Sequence, residues 1–224
     1  MGKIKKLSKL PKAKAQPSES KQHYKRLEED YKGLARCLGK KGFSQLIQSY
    51  VNDCPSLLDL QDDVGKQLPE YLARWKSPLK QPWQVDLARL ERSIYLAHKG
   101  RETESWDLSH LAKDQPERAG TLQFGLEGTA SLHRSEWSIN EVWQQKRSIP
   151  AKSWCYLLVY RFSFNVKVSA LSAEECALLR DIVSGLTLSE ILDLYPDQTT
   201  LKALTQWASQ GVIKPVFREN QYFR

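Results

Sequence analysis

Four histidines, four cysteines and one adjacent pair of aspartates are the side chains here that could do chemistry, and their arrangement argues against it. His23, His98, His110 and His133 stand far apart in polar contexts. No HExxH, GxSxG, phosphate-loop or GxGxxG pattern supplies them with a nucleophile, a metal partner or a nucleotide. Each is expected as a surface or capping residue, and nothing points to a metal site assembled across the fold. Asp62-Asp63 looks like a carboxylate pair, yet carboxylates beside a helix start serve as caps or as favourable charges at the positive end of the helix dipole. Cys37, Cys54, Cys155 and Cys176 fall at no metal or redox spacing, so they are expected as ordinary thiols of a reduced, cytoplasmic protein. The expectation is a protein with no catalytic residues, no metal and no cofactor of its own.

Charge is the next candidate for function. The chain has 224 residues and a net charge of +8. Residues 1–22 hold seven lysines against Glu19 alone, which leaves only +2 for the rest. That segment also carries Pro11, Pro17, Ser18 and Ser20 and little apolar content, so it is expected as a disordered, Lys-rich tail. Such a tail binds nucleic acid or an acidic surface weakly and with strong salt dependence, and it reads no sequence. No apolar run reaches the roughly 18 to 20 residues of a membrane span, so no membrane partner is expected. The N-terminal lysines lead into no apolar signal region, and Lys6 stands where a myristoylation motif needs Ser or Thr.

The elements that must position any site follow from periodicity. Tyr24, Leu27, Tyr31, Leu34 and Leu38 recur at three and four residues, and Gly39 closes the segment. Phe43, Leu46, Ile47, Tyr50 and Val51 repeat the pattern until Asn52, Asp53 and Pro55. A shorter segment runs from Val64 to Trp75. Pro82 and Gly100 bracket the clearest helix, with Trp83, Leu87, Leu90, Ile94 and Ala97 as its stripe. Residues 23–100 therefore predict a helical bundle, and the polar residues 101–120 a connection. Beyond them, Leu122, Phe124 and Leu126 alternate as a strand does. Residues 155–162 and 164–170 predict a hairpin, although no Asn-Gly or Asp-Gly marks its turn. Ser172/Glu175 and Thr187/Glu190 are capping boxes for two short helices, and Asp197 caps a third that ends at Gly211. Val212 to Phe217 predicts a closing strand. The fold class expected is mostly α within α+β: an N-terminal helical bundle and, over 121–224, a winged-helix-like domain with a β-hairpin.

A winged helix invites a DNA-binding transcriptional regulator as one hypothesis, with residues 199–210 as the recognition helix. Phosphate contacts need Lys and Arg, however, and that helix offers Lys202 alone. Residues 151–224 carry eight Lys/Arg against seven Asp/Glu, too neutral for a sole DNA reader. Protein or peptide binding fits better. The run Trp154 to Phe164 is apolar on both faces, so one edge could accept an extended peptide as an added strand. Leu157, Val159 and Arg161 are the residues expected to hold it. The seven Trp and nine Tyr suit binding hot spots, although most of them serve cores.

Several stretches carry a family resemblance. Tyr31, Leu34, Leu38-Gly39, Phe43, Leu46, Tyr50, Pro55-Ser56, Gly65, Pro69 and Tyr71-Leu72 resemble the N-terminal domain of the HvfC/BufC-type proteins. The most specific piece is Asp86-Leu87-Ala88-Arg89-Leu90-Glu91. Ser135, Trp137, Val142-Trp143 and Tyr156 to Arg161 resemble that family's later segments, so the likeness spans roughly residues 24–215. It departs from the family at Glu127-Gly128-Thr129, where a His-Pro-Ser element is usual, at Ser138, where a Pro is usual, and at the first helix, which the lysine tail replaces. The family carries the description putative DNA-binding domain, a fold-level label. The resemblance implies a non-catalytic partner subunit of a multinuclear non-heme iron oxidase that modifies cysteines in a small precursor peptide. The iron would belong to the oxidase, and this chain would hold the peptide's leader. Asp86, Arg89, Glu91 and Arg92, expected on the exposed side of their helix, are the candidates for docking on the oxidase; Arg89 and Glu91 could equally pair with each other.

Overall fold

The computed structural model of the chain describes residues 17–54, 63–101, 105–108 and 119–216, with side chains from Gln22 onward. The order of elements is α1 (Pro17–Asp30), α2 (Lys32–Asp53), α3 (Leu68–Arg74), α4 (Pro82–Lys99), β1 (Gln123–Leu126), β2 (Ser131–Ser135), α5 (Ile139–Trp143), β3 (Cys155–Phe162), β4 (Asn165–Leu171), α6 (Ala173–Val183), α7 (Leu188–Leu194), α8 (Gln198–Ser209) and β5 (Ile213–Val216). This is a mixed α+β fold in which helix predominates. No described helix is long and apolar enough to cross a membrane.

The N-terminal helices form where the apolar spacing places them. Leu27, Tyr31, Leu34, Phe43, Leu46, Tyr50, Leu68 and Leu72 are buried together in one core. Helix α1 begins at Pro17, so residues 17–22 belong to a helix and not to the tail; proline suits a first turn, where its missing N–H is not needed. Residues 1–16, the rest of the expected tail, lie outside the described residues. Gly39 interrupts α2 with φ 67° and ψ 165°, a left-handed position that glycine takes without penalty. Of the expected connection 101–120, most lies outside the described residues. Trp106 and Leu108 are described, and they pack on the C-terminal core, with the Trp106 N–H donating to the Ala208 carbonyl at 3.0 Å.

Two small antiparallel sheets follow. One pairs β1 with β5; the other has the order β2-β3-β4. The hairpin of β3 and β4 forms over nearly the expected residues, with Phe162 opposite Asn165. Its two turn residues, Ser163 and Phe164, both have positive φ, 49° and 64°. This is the left-handed pair a tight hairpin needs, built here without Asn or Gly. Strand β2 and the short helix α5 have no counterpart in the expectations. β2 is only five residues long and half-buried, and its alternation is too brief to stand out.

β3 is covered on both faces, which explains its unbroken apolar sequence. Leu158 and Tyr160 join Phe124, Leu179, Ile182, Leu204 and Trp207 in the core beneath α6, α7 and α8. Cys155, Leu157 and Val159 face the other way, onto Trp83, Leu87, Leu90 and Ala97 of α4 and onto Ile139 and Val142 of α5. Helix α4 likewise serves two cores, since its Val85 and Ala88 belong to the N-terminal cluster. α4 and β3 form the seam of the molecule.

Candidate functional site

The most distinctive stretch of the sequence, residues 86–92, lies on α4, and the structure turns its charged side chains inward or onto neighbouring helices. Glu91 is 4% exposed. Its carboxylate accepts hydrogen bonds from the backbone N–H groups of Gly33 at 2.5 Å and Leu34 at 3.0 Å. These are orphan donors of the first turn of α2, whose N-cap residue, Tyr31, provides no side-chain cap. Glu91 therefore caps a helix 58 residues away from it in the chain. Burial pushes its carboxyl pKa up to about 7, against the opposing pull of the two N–H groups and Arg36. A Cβ on Gly33 would come within 2.8 Å of the Glu91 Oε1, so glycine there is what lets the carboxylate approach.

The neighbouring side chains make further cross-links. Asp86 Oδ2 accepts from the Ser135 hydroxyl of β2 at 2.7 Å. Arg92, with its side chain 12% exposed, makes a bidentate pair with Asp63 at 2.5 and 2.6 Å. Arg89 pairs with Glu70 of α3 at 3.0 Å and stands 3.8 Å from Asp86. The expected exposed docking row is thus corrected: Glu91 is buried because it replaces a missing cap, and Arg92 and Asp86 are held by α4's own neighbours. The Arg89–Glu91 pair does not form. Only Arg89, half exposed with Glu70, remains at the surface.

β3 is corrected in the same way. It is the central strand, paired with β2 on one side and β4 on the other, so neither of its edges can receive a peptide. Leu157 and Val159 are buried in the seam at 2% and 0% exposure. Arg161 reaches across to the end of α4 and donates to the carbonyls of His98 at 2.9 Å and Gly100 at 2.8 Å. It covers carbonyls that the helix C-terminus leaves without partners, at the negative end of the dipole.

The groups weighed for chemistry are accounted for similarly. His133 sits on β2 beside α4, 3.2 Å from the Ser131 hydroxyl. Burial lowers its pKa to about 4, with Asp86 pulling up and Arg89 pushing down, so the imidazole is neutral at pH 7. His110 and Asp62 lie outside the described residues. The Cys155 thiol donates to Asn140 Oδ1 at 3.3 Å, and burial raises the pKa values of Cys37, Cys155 and Cys176. Among the described residues no three His, Cys, Asp or Glu side chains gather as metal ligands.

Among the described residues, the edges of the three-stranded sheet are β2 and β4. Among the described residues no strand pairs with the outer side of β4, which runs for seven residues and exposes Asn165, Lys167 and Ala170. Residues that flank a two-residue turn form a hydrogen-bonded pair, so alternation from Asn165 points the N–H groups of Val166, Val168 and Ala170 outward. At the far end of this edge, Ala170 and Leu171 line a cavity of about 190 Å³ together with Tyr156, Trp154, Asn140 and Glu141. Trp154 is half exposed and stacks on Tyr156, with planes 7° apart and centroids separated by 6.3 Å. The Arg134 guanidinium lies 4.2 Å from the centre of the Trp154 ring. Sequence reasoning missed this stack because Arg134 comes from β2, the unforeseen strand, where it stands opposite Tyr156.

No family model matches the chain, and no curated protein sequence matches it significantly.

Proposed function

We propose that the protein is a non-catalytic, cytoplasmic partner subunit that docks on a multinuclear non-heme iron oxidase and presents a small precursor peptide for cysteine modification. The observation that carries the peptide half of this reading is the outer edge of β4, unpaired among the described residues, which ends at the cavity lined by Ala170, Leu171, Trp154 and Tyr156. An extended peptide can continue the sheet there through its backbone and place a side chain in the cavity beside Trp154. The resemblance over Asp86 to Glu91 supports the family assignment, and Arg89, paired with Glu70 of α3, is the exposed residue of that stretch left for a partner. The order of β3, β4, α6, α7, α8 and β5 is consistent with a winged-helix-like half whose role is recognition.

Affinity purification of the tagged chain from its host at moderate salt, followed by mass spectrometry, tests this reading. Recovery of an iron-containing oxidase or a Cys-rich small peptide supports it. The Ala170→Pro variant, which removes one outward N–H from an exposed edge position, should lose the peptide and keep the oxidase. Recovery of specific DNA that persists after deletion of residues 1–16 would replace the proposal with a transcriptional regulator.

A further inference from the structure

A second concave surface lies away from the β4 edge, between α1 and α2. Its cavity measures about 630 Å³ and is lined by Tyr24 and Glu28 of α1 and by Lys32, Arg36, Gly39 and Lys40 of α2. Lys32 and Arg36 are one helical turn apart, a rise of about 6 Å, so they stand on one face. The left-handed break at Gly39 then redirects the chain and brings Lys40 to the same groove. A Cβ at Gly39 would meet nothing within 4 Å, so the glycine serves the bend and leaves the space open.

Three cations thus face one carboxylate. Lys32 and Lys40 have no ion-pair partner among the described residues. Arg36 is oriented by one bond, from its Nη2 to the Val142 carbonyl at 2.9 Å, which leaves other guanidinium N–H groups available. Tyr24, whose ring packs edge-on against Phe43 at 5.7 Å, has a buried hydroxyl with no hydrogen-bond partner. A buried donor left unpaired is costly, and an atom closed to water is equally closed to a ligand in the groove. Burial, and then Glu28, raise the pKa of that hydroxyl, so it keeps its proton.

We infer that the α1–α2 groove binds a phosphate-bearing ligand, with Lys32, Arg36 and Lys40 neutralising its charge. Arg36 also acts on the buried Glu91 carboxylate, so the two exposed lysines, Lys32 and Lys40, supply the excess positive charge that suits a phosphate group. This goes beyond the peptide-presenting role and does not depend on it.

The test is calorimetric titration of the full chain with pyrophosphate at an ionic strength held constant with sodium chloride. The Lys32→Gln/Lys40→Gln double variant, altered at exposed positions, should weaken binding about tenfold or more, since charge-assisted bonds are lost. Tyr24→Phe should leave pyrophosphate binding unchanged and the thermal midpoint of the free protein unchanged or raised, because a buried, unpaired hydroxyl is removed. The lysine-rich tail is present in every variant, so the difference between variants reports the groove alone. Absence of pyrophosphate binding, or binding equal in wild type and the double variant, overturns the inference. Competition with a thymidine oligonucleotide identifies the source of the phosphate. Displacement that needs Lys32 and Lys40 assigns a nucleic-acid strand, and its absence assigns a small phosphorylated molecule.

Discussion

Helix α2 and helices α6 and α7 solve the same problem in opposite ways. Each must satisfy the N–H groups of its first turn. In α6 the solution is local: Ser172 Oγ accepts from the Glu175 N–H at 3.1 Å, and Glu175 returns a bond to the Ser172 N–H at 2.8 Å. Thr187 and Glu190 do the same for α7. Helix α2 has no such box and borrows Glu91 from α4. A local cap stabilises one helix, whereas a borrowed cap fixes the position of one helix on another. The N-terminal half is therefore tied to the seam by polar contacts, and the C-terminal helices begin independently of it.

The sharpest way to break this contrast is Glu91→Ala. It strands two buried N–H groups at 1 to 3 kcal/mol each, so at acidic pH, where the contribution of Glu91 is intact, a loss of about 3 kcal/mol is expected, a drop in midpoint of roughly 6–12 °C for a chain of this size. Gly33→Ala should act through the same contact, because its methyl would occupy the carboxylate's place. Urea unfolding of the two single variants and the double variant decides the matter: effects that add fully would show that they do not share a contact.

The same carboxylate makes a pH prediction. Its pKa is raised in the fold, from 4.5 to about 7, so its contribution to stability is fully present below pH 4.5 and is lost as the pH rises through 7. The span corresponds to about 3 kcal/mol. His133 works with the opposite sign. Its pKa is depressed to about 4, so its contribution is present above pH 6.5 and lost as the pH falls through 4. The wild-type profile mixes the two, and the informative quantity is the stability of wild type minus that of Glu91→Gln. That difference should rise as the pH is lowered from 8 to 5; a flat difference would mean that Glu91 titrates normally.

What was legible in the sequence follows the same division. Helix boundaries at Ser172, Thr187, Asp197 and Pro82, and the strands of the hairpin, could be read because their signals lie within four residues of where they act. The roles of Glu91 and Arg161 could not, because their partners lie 57 to 58 and 61 to 63 residues away. A charged residue on an amphipathic helix looks solvent-facing until the helix is found to have two covered sides, as α4 does. A long apolar strand looks like a sticky edge until β2, five residues with little pattern, is found paired to it. The open β4 edge and the Trp154 stack appear only once that pairing exists.

A smaller effect is expected at the other end of α4. Arg161→Met keeps most of the apolar stem but releases the His98 and Gly100 carbonyls, at an expected cost of about 1–2 kcal/mol. Arg161→Lys should recover part of this through a single charged donor. The local caps come next, and Ser172→Ala or Thr187→Ala should each cost about 1 kcal/mol. Combined with Glu91→Ala, either should add without coupling, since α6 and α7 share no bond with α2. Coupling in a double-mutant cycle would show that the C-terminal helices do depend on the seam.

The smallest change expected is a gain. Ser163 and Phe164 both occupy left-handed backbone, where a residue with a Cβ gives up about 1–2 kcal/mol and Asn-Gly far less. Replacing the pair with Asn-Gly should stabilise the protein by about 0.5–1 kcal/mol, read as a raised urea midpoint with unchanged slope. Phe164 is 78% exposed, so its removal takes little apolar surface out of a core. A loss of stability instead would show that the Phe164 ring contributes more at the hairpin tip than its backbone costs.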